Sequence, residues 1–334
     1  MKKLLCLLLV ITMIFVLISC GGTNGNEGSN ADSEQTYEFL MGTGNVGGTW
    51  YPVGGAFAAA MSMAENVTIT PQTAAGSTET IRMMAAGERE LGLLSTNMIT
   101  WAEQGIEFFD GEEPVDCIRS IATCMPQAFH YVVRADSGIN DLTDLKSKRV
   151  GTGAPGSGEA IFAPAMIIMA GVDEGDFVQE MLSYTEQITA FKDRQLDSMF
   201  LNTPPPSSAV MDVASQADIK LVGFSDELID KIIKTAPYYY KDTIKKDAYD
   251  FMTEDINTVG VMSCLTCHKD LPEDVVYEMT KALFENVDTI RSTHASVADF
   301  SIETALVGNS CKVHPGAIRY YEEMGIEVPD EFKE

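Results

Sequence analysis

Residues 42–58 read GTGNVGGTWYPVGGAFA, and residues 149–160 read RVGTGAPGSGEA. Each stretch follows a short apolar segment and leads through glycines into a helical pattern, which indicates a strand, a tight turn and a helix. The correspondence continues along the chain. Glu79 and Glu186 lie near the start of similar helical segments, and their separation in sequence nearly equals the separation of the two glycine-rich stretches. Strands that alternate with helices indicate a parallel sheet. The sequence therefore predicts two similar α/β halves.

The glycine turns do not fit a nucleotide site. Residues 67–73 (VTITPQT) form the next strand, and that strand ends without the carboxylate that a dinucleotide ribose requires. The chain also has no GxxxxGK[ST] pattern, so a P-loop is excluded. Glycines before helices can instead bring backbone N–H groups and helix N-termini to a carboxylate. Residues 47–49, 76–78 and 156–158 provide three such turns, unless they are merely tight connections.

The charge balance excludes two classes of partner. The 334 residues include 23 Lys+Arg and 49 Asp+Glu, which gives a formal net charge of −26. Because phosphate backbones and anionic lipid surfaces are bound by clustered basic side chains, neither nucleic acid nor a membrane surface is expected as the main partner. The length corresponds to about two domains of ~150 residues with a full hydrophobic core.

The N-terminal segment predicts export. Residues 1–19 combine two lysines, an apolar run and small residues, as a secretory signal peptide does. Leu17 to Cys20 has the form of a bacterial lipobox, so we expect Cys20 to carry a lipid and become the mature N-terminus. Residues 20–36 are small and polar and predict a flexible tether. We therefore expect an extracytoplasmic protein that only its lipid anchors to the membrane; a plain membrane anchor is the alternative.

One motif suggests a different chemistry. Cys264, Cys267 and His268 form the CxxCH pattern of covalent haem attachment, so an exported c-type haem electron carrier is an alternative function. The same residues follow an apolar run, and they also fit a strand end with two incidental thiols or a short-range disulfide. The sequence contains no G-x-S-x-G nucleophile elbow and no HExxH zinc motif. We expect no enzymatic activity, no cofactor and no metal site.

Four blocks of the chain resemble one protein family in order. They are residues 42–58, 73–97, 134–160 and 271–286, which read GTGNVGGTWYPVGGAFA, TAAGSTETIRMMAAGERELGLLSTN, RADSGINDLTDLKSKRVGTGAPGSGEA and LPEDVVYEMTKALFEN. From about Tyr37 to the C-terminus the chain resembles the TAXI family of TRAP-transporter solute receptors. The resemblance implies an α/β, two-lobed periplasmic-binding-protein-like (type II) fold with a ligand cleft between the lobes. It also implies that the protein captures a small carboxylate or amino acid, glutamate-like or another organic acid, and delivers it to a TRAP membrane subunit.

The resemblance gives a domain division. Residues 37–128 with 262–334 would form lobe I, residues 129–261 would form lobe II, and the receptor would be a monomer. His130 begins a strand that crosses between the lobes, where it either faces the cleft or serves as a hydrogen-bonded hinge residue. A sensory or adhesive lipoprotein with the same binding fold remains an alternative function.

The family's ligand positions map onto eight residues of this sequence. They are Gly44, Thr49, Tyr51, Ser77, Asn97, Ser157, Gly158 and Thr203. Backbone amides and hydroxyls would hold the carboxylate, and Tyr51 or Trp50 would supply an aromatic wall. Both aromatic residues also fit a place in the core, and Asn97 also fits a role as a strand cap.

The sequence departs from the family pattern at three places. The strand end reads Ser95-Thr96-Asn97, residues 203–206 read TPPP, and Glu159 follows the third glycine turn. A carboxyl at that turn would repel an anionic ligand or engage an ammonium group. Because few basic residues accompany the ligand motifs, a monocarboxylate or a zwitterion fits better than a dicarboxylate, unless Arg82 or Arg134 turns inward.

Overall fold

The computed structural model describes residues 35–44, 48–236 and 238–334. The predicted signal peptide, the lipidation site Cys20 and all but the last two residues of the predicted tether lie outside these ranges. Residues Thr36–Glu334 form one compact unit. Within the described part of the chain, every helix is too short or too polar to cross a bilayer.

The described residues of this unit form ten strands and ten α-helices. The strands are β1 (Tyr37–Gly42), β2 (Val67–Gln72), β3 (Leu91–Ser95), β4 (Ile118–Arg134), β5 (Arg149–Gly151), β6 (Val178–Glu180), β7 (Ser198–Thr203), β8 (Ile219–Val222), β9 (Tyr240–Ile244) and β10 (Ile256–His268). The helices are α1 (Trp50–Met61), α2 (Ser77–Ala85), α3 (Thr96–Gln104), α4 (Glu159–Met169), α5 (Tyr184–Lys192), α6 (Ser208–Ala214), α7 (Asp226–Thr235), α8 (Glu273–Glu285), α9 (Val287–Arg291) and α10 (Pro315–Glu323). Strands alternate with helices along most of the chain, as the sequence predicts.

The strands form one sheet in the order β2-β1-β3-β10-β4-β7-β5-β6, with β8 on β4 and β9 on β10. On one side β1 pairs in parallel with β2 and β3, and on the other β5 pairs in parallel with β6 and β7. The two trios have the same order and connectivity, which confirms the predicted repeat. The prediction of a parallel sheet is wrong for the middle, where β10 and β4 run antiparallel to their neighbours.

The two central strands exchange partners part-way along their length. Strand β4 pairs with β10 up to Ala128 and with β7 from Ala128 onward. Strand β10 pairs with β9 up to Gly260 and with β3 from Ser263 onward. The predicted lobe boundaries at 128/129 and 261/262 lie beside these exchange points, and the boundaries themselves remain a prediction.

Glycine is required where each trio's first strand ends. A Cβ on Gly42 would lie 2.4 Å from Thr80 Cγ2, and a Cβ on Gly151 would lie 2.5 Å from Gln187 Oε1. Real Cβ contacts essentially never come this close. Thr80 and Gln187 occupy equivalent places near the start of α2 and α5, so the glycine of each half allows the same approach of helix to strand. This approach brings the helix N-termini to the ends of the strands.

Three hydrophobic clusters support the sheet. One packs α1, α8 and α10 against the first trio, and another packs α5 and α6 against the second. The third joins α2 and α3 to α4 and α7, so it contains residues from both halves. The apolar spacing of residues 275–290 continues past Asn286, but the helix itself breaks there. There α8 ends, the Asn286 side chain donates to Ala282 O at 2.7 Å, and α9 begins one residue later.

Candidate functional site

A cavity of about 160 Å³ opens where the two trios of strands face each other. This volume lies below the range of about 300–1,000 Å³ that is usual for drug-sized ligands, so the cavity suits a small molecule. The beginnings of six helices contribute to its wall. These residues are Thr49 and Trp50 at α1, Ser77 and Thr78 at α2, Asn97 and Met98 at α3, Gly158 and Glu159 at α4, Ser183 and Tyr184 at α5, and Ser208 and Ala209 at α6. Helix N-termini carry partial positive charge and free N–H groups, so this wall favours an anionic group.

The structure brings seven of the eight predicted ligand residues into this wall. They are Gly44, Thr49, Ser77, Asn97, Ser157, Gly158 and Thr203. Tyr51 does not line the cavity, whereas Trp50 does. Neighbouring residues of a helix point about 100° apart, so a single wall position cannot be shared by both side chains. The aromatic wall of the first half is therefore formed by Trp50.

Four polar side chains in the wall carry buried atoms without a hydrogen-bond partner. Asn97 Nδ2, Gln127 Nε2 and Ser157 Oγ can donate, whereas Asn202 Oδ1 is an acceptor. The side chains of Asn97 and Gln127 are almost inaccessible to water, with 0% and 2% of each residue exposed. A buried donor without an acceptor costs about 1–3 kcal/mol, so these positions favour a ligand that brings acceptor oxygens.

A short hydrogen-bond network orients Asn97. Ser95 Oγ donates to Asn97 Oδ1 at 2.7 Å, which leaves Nδ2 as the free end of the amide. The N–H of Ser95 in turn donates to Ser77 Oγ at 3.0 Å. Ser77 is the first residue of α2, and its hydroxyl accepts this bond from the end of β3. Ser77 thus joins two of the helix beginnings at the cavity.

The second half contributes a carboxyl group, that of Glu159, and a phenol, that of Tyr184. Tyr184 Oη lies 2.8 Å from Glu159 Oε1 and 2.7 Å from the carbonyl oxygen of Asn202. The N–H of Asn202 donates to the same hydroxyl at 3.0 Å. Tyr184 is placed by a capping box at the start of α5, in which Ser183 Oγ accepts from the N–H of Glu186. Burial raises the pKa of Glu159 above its ordinary value.

The described residues that line the cavity include no Lys, Arg or His. The two arginines that the sequence left open are held elsewhere. Arg82 pairs with Glu112 at 2.5 Å on the outer surface, and Arg134 stacks on the ring of Phe191 at 4.4 Å. Recognition of a negative charge in this cavity therefore relies on neutral donors and helix N-termini.

Direct contacts join the two sides of the cavity. Thr78 Oγ1 donates to Gly156 O at 3.4 Å, and Trp101 Nε1 donates to Tyr238 Oη at 2.9 Å. Thr78 and Trp101 belong to the helices of the first half, whereas Gly156 and Tyr238 belong to the second. The structure therefore shows the two halves in contact, at the cavity wall through Thr78 and Gly156 and elsewhere through Trp101 and Tyr238.

The CxxCH motif lies in the central strand β10, away from the cavity wall. Cys264 and Cys267 are fully buried, and they belong to hydrophobic clusters on opposite faces of the sheet. All five cysteines in the described ranges are free thiols, so the motif is a strand end with two incidental thiols. Covalent attachment of haem here would require the middle of the sheet to open, because β10 is paired on both sides.

His130 is a hydrogen-bonded residue of the strand that passes between the halves. Its Nδ1 lies 2.9 Å from Ala128 O, and its Nε2 lies 2.9 Å from Tyr249 Oη. The Tyr249 hydroxyl also accepts from the N–H of Ser207, which lines the cavity. Of the two roles that the sequence left open, the structure shows the hydrogen-bonded one.

A family model described as the NMT1-like family matches residues 41–325. The chain belongs to the NMT1-like family. Its fold is similar to that of the ligand-binding component of an ABC-type import system from Staphylococcus aureus, solved with zinc bound. The two share 10% identity, 90% of this chain and 97% of the other are covered, and the TM-score is 0.52. A protein from Bordetella bronchiseptica is also similar, with 14% identity, 88% and 90% coverage and a TM-score of 0.50.

These likenesses establish the fold of the NMT1-like chain. It is an α/β, two-lobed periplasmic-binding-protein-like fold, as the sequence predicts. In such open α/β sheets ligands bind at the carboxyl ends of the strands, which is where the cavity lies.

Sequence reasoning missed several residues of the wall. They are Gln127, Phe162, Ser183, Tyr184, Asn202, Ser207 and Ser208. The repeat contains a signal for Asn202, because β3 and β7 are equivalent and the end of β3 was already assigned to the site. Gln127 lies in β4, which stands outside the repeat, and its neighbours in sequence form an almost uniformly buried strand. That pattern gives no sign of a ligand residue.

Proposed function

We propose that the protein is an extracytoplasmic solute receptor that captures a small carboxylate or amino acid and delivers it to a TRAP-type membrane transporter. The single observation that carries this proposal is the pair of buried, unpartnered amides Asn97 Nδ2 and Gln127 Nε2. They lie in a cavity surrounded by helix N-termini. Such a wall leaves free donors for a carboxylate, so the proposed activity is binding without chemistry.

The proposed mechanism is closure of two lobes over the ligand. Among the described strands of the sheet, only β4 and β10 run from one trio to the other. Bending between the lobes would therefore be concentrated in these two strands. Ligand would bind one lobe first, and the donors of the other would engage on closure. Contacts made only in the closed form shift the population toward it. Exclusion of water then strengthens each hydrogen bond to the carboxylate.

Native mass spectrometry of the protein as purified tests the ligand class. We expect a retained acid of low molecular mass, and after unfolding and refolding we expect calorimetry to detect binding to members of a panel of monocarboxylates, dicarboxylates and amino acids. A Soret absorbance band, or failure of every acid in the panel to bind the refolded protein, would contradict the proposal.

The transporter class needs a separate test. Uptake of the identified acid into vesicles that contain the partner membrane subunit should require this receptor and a cation gradient, since the TRAP resemblance implies cation coupling. Uptake that stops on removal of ATP and continues without the gradient would instead indicate an ABC-type system.

The proposed lipid anchor rests on the lipobox alone. A Cys20→Ala variant should move from the membrane fraction to the soluble extracytoplasmic fraction, and the mature wild-type protein should carry the mass of a lipid at its N-terminus. Equal partition of variant and wild type would refute lipidation at Cys20.

A further inference from the structure

Two oxygens and one backbone N–H converge on the Tyr184 hydroxyl. Its Oη accepts from the N–H of Asn202 and lies 2.7 Å from Asn202 O and 2.8 Å from Glu159 Oε1. A phenol has one hydrogen to donate, so it can satisfy only one of these two acceptors. If Glu159 were ionised, the other contact would hold two oxygens below 3 Å with no hydrogen between them. A proton on Glu159 supplies the missing hydrogen, because the carboxyl then donates to Tyr184 while Tyr184 donates to Asn202 O.

The surroundings of Glu159 do not compensate a negative charge. The titratable groups that face it are phenols, Tyr184 from α5 and Tyr239 from the segment before β9, and both phenols have raised pKa values. Glu79 and Arg82 of α2 line the adjoining outer groove, where Arg82 is paired with Glu112. Burial is the main cause that raises the pKa of Glu159, and its own amide, the Tyr184 hydroxyl and the Ser157 hydroxyl oppose it. An ionised Glu159 would therefore be a buried charge without a cation among the described residues of the wall.

We propose that Glu159 stands in the cavity as a neutral carboxylic acid and makes ligand binding depend on pH. While its proton is present, the site accepts a monocarboxylate anion; once the proton is lost, the anion is repelled. The ligand part of this proposal rests on the proposed function, whereas the protonation of Glu159 does not. A ligand ammonium group would need an ionised Glu159 and would show the opposite dependence on pH.

The sign of the dependence follows from linkage. Binding of an anion favours protonated Glu159, so the affinity is highest below the pKa of this carboxyl and falls as the pH rises through it. Above that pKa the affinity for a monocarboxylate should fall about tenfold per pH unit, as one proton is required per ligand. In the same range, binding should take up a proton from the buffer.

Infrared difference spectroscopy of the ligand-free protein tests the proton directly. The wild type should show the carbonyl band of a protonated carboxyl that is lost in Glu159→Gln and that disappears at high pH. Glu227→Gln, which removes an exposed carboxylate on α7, is the matched control and should retain the band. Absence of a band that depends on Glu159 just above pH 4.3, roughly the ordinary pKa of a glutamate side chain, would overturn the proposal.

Calorimetry with propionate, alanine and succinate tests the consequence for binding. These probes share a short aliphatic skeleton, and the last two add an ammonium group or a second carboxylate. We expect propionate to bind best, with the predicted loss at high pH, proton uptake in buffers of different ionisation enthalpy, and an affinity in Glu159→Gln that is flat with pH. Preferential binding of alanine that increases with pH would overturn the proposal. The infrared band without binding of any probe would contradict the carboxylate receptor function and leave the proton assignment standing.

Discussion

Asn97 carries an unsatisfied donor that the fold has fixed in place. Ser95 Oγ holds its Oδ1 at 2.7 Å, so the amide cannot turn its Nδ2 toward another acceptor without losing this bond. Nδ2 is buried and unpartnered, and the residue begins a helix whose N-terminus also faces the cavity. The ligand-free protein therefore bears a desolvation cost that a bound carboxylate would relieve.

An Asn97→Ala variant should lose affinity without losing the fold. We expect binding of the identified acid to weaken by roughly 1–3 kcal/mol, which is about fivefold to about 150-fold, because one buried donor is removed. Calorimetry measures the affinity, and thermal unfolding without ligand measures stability. Asn286→Ala removes an amide at the end of α8 and should leave the affinity unchanged. Wild-type affinity in Asn97→Ala would remove this residue from the site.

His130 should make the folded protein sensitive to acid. Burial lowers its pKa to about 4, whereas the unfolded chain has a value of about 6.5. Between these values the unfolded state binds a proton that the native state does not, so the free energy of unfolding falls as the pH decreases from about 6.5 to about 4. The loss should amount to roughly 3 kcal/mol.

Urea unfolding of the wild type and His130→Gln over this pH range separates this effect from other acid titrations. The variant should be less stable at neutral pH, because the bonds to Ala128 O and Tyr249 Oη change, but its stability should fall less steeply with acid. Parallel pH profiles for the two proteins would show that His130 is not responsible.

At the scale of elements, the packing of α10 on α8 depends on a glycine. A Cβ on Gly316 would lie 2.3 Å from Glu273 O and 2.7 Å from Tyr277 N, and both are backbone atoms that cannot yield alone. Gly316→Ala should therefore destabilise the protein by roughly 1–3 kcal/mol through displacement of α10. The matched control is Gly55→Ala in α1, where a Cβ meets nothing within 4 Å. That variant should gain about 0.5–1 kcal/mol from helix propensity, and denaturant midpoints would show whether the two changes have opposite signs.

The outer elements of each half could be predicted from sequence because their signals are local. The glycine turns, β-branched strands and caps of the first half recur in the second half at a constant separation along the sequence. The structure likewise repeats β1-β2-β3 as β5-β6-β7 in the same order. The antiparallel middle could not be predicted in this way, since β4 and β10 pair through residues far apart in the chain. The end of α8 at Asn286 could not be predicted either, because the apolar spacing continues past it into α9.

The candidate site was predictable to a similar extent. Residues of the glycine turns, such as Ser77 and Gly158, are marked by local sequence, and seven of the eight chosen positions line the cavity. Gln127 and Tyr184 reach the cavity only through the way in which strands and helices assemble. For Trp50 and Tyr51 the sequence could not choose, because the rotation of α1 about its axis is set by tertiary packing.

For the whole molecule, the contact between Trp101 and Tyr238 should stabilise the closed form. Tyr238→Phe removes the hydroxyl that accepts from Trp101 Nε1 at 2.9 Å. We expect ligand affinity to fall by about threefold to tenfold, since a typical hydrogen bond contributes about 1 kcal/mol. Small-angle scattering of the ligand-free variant should also show a larger radius of gyration. Tyr277→Phe, which removes a bond to Glu323 on the surface, is the control. Unchanged affinity and scattering in Tyr238→Phe would contradict a closing role for this contact.

The late position of β10 in the chain has a consequence for biosynthesis. Its Thr266 hydroxyl donates to Gly92 O in β3, 174 residues earlier, and the strand separates β3 from β4 in the finished sheet. A nascent chain that stops short of residue 256 therefore lacks one of the two strands that join its halves. Strands that are far apart in sequence pair slowly. The newly made polypeptide should therefore remain unfolded for longer than a helical protein of equal length. A translocation channel that accepts only unfolded substrates could bind the polypeptide during the time before it folds.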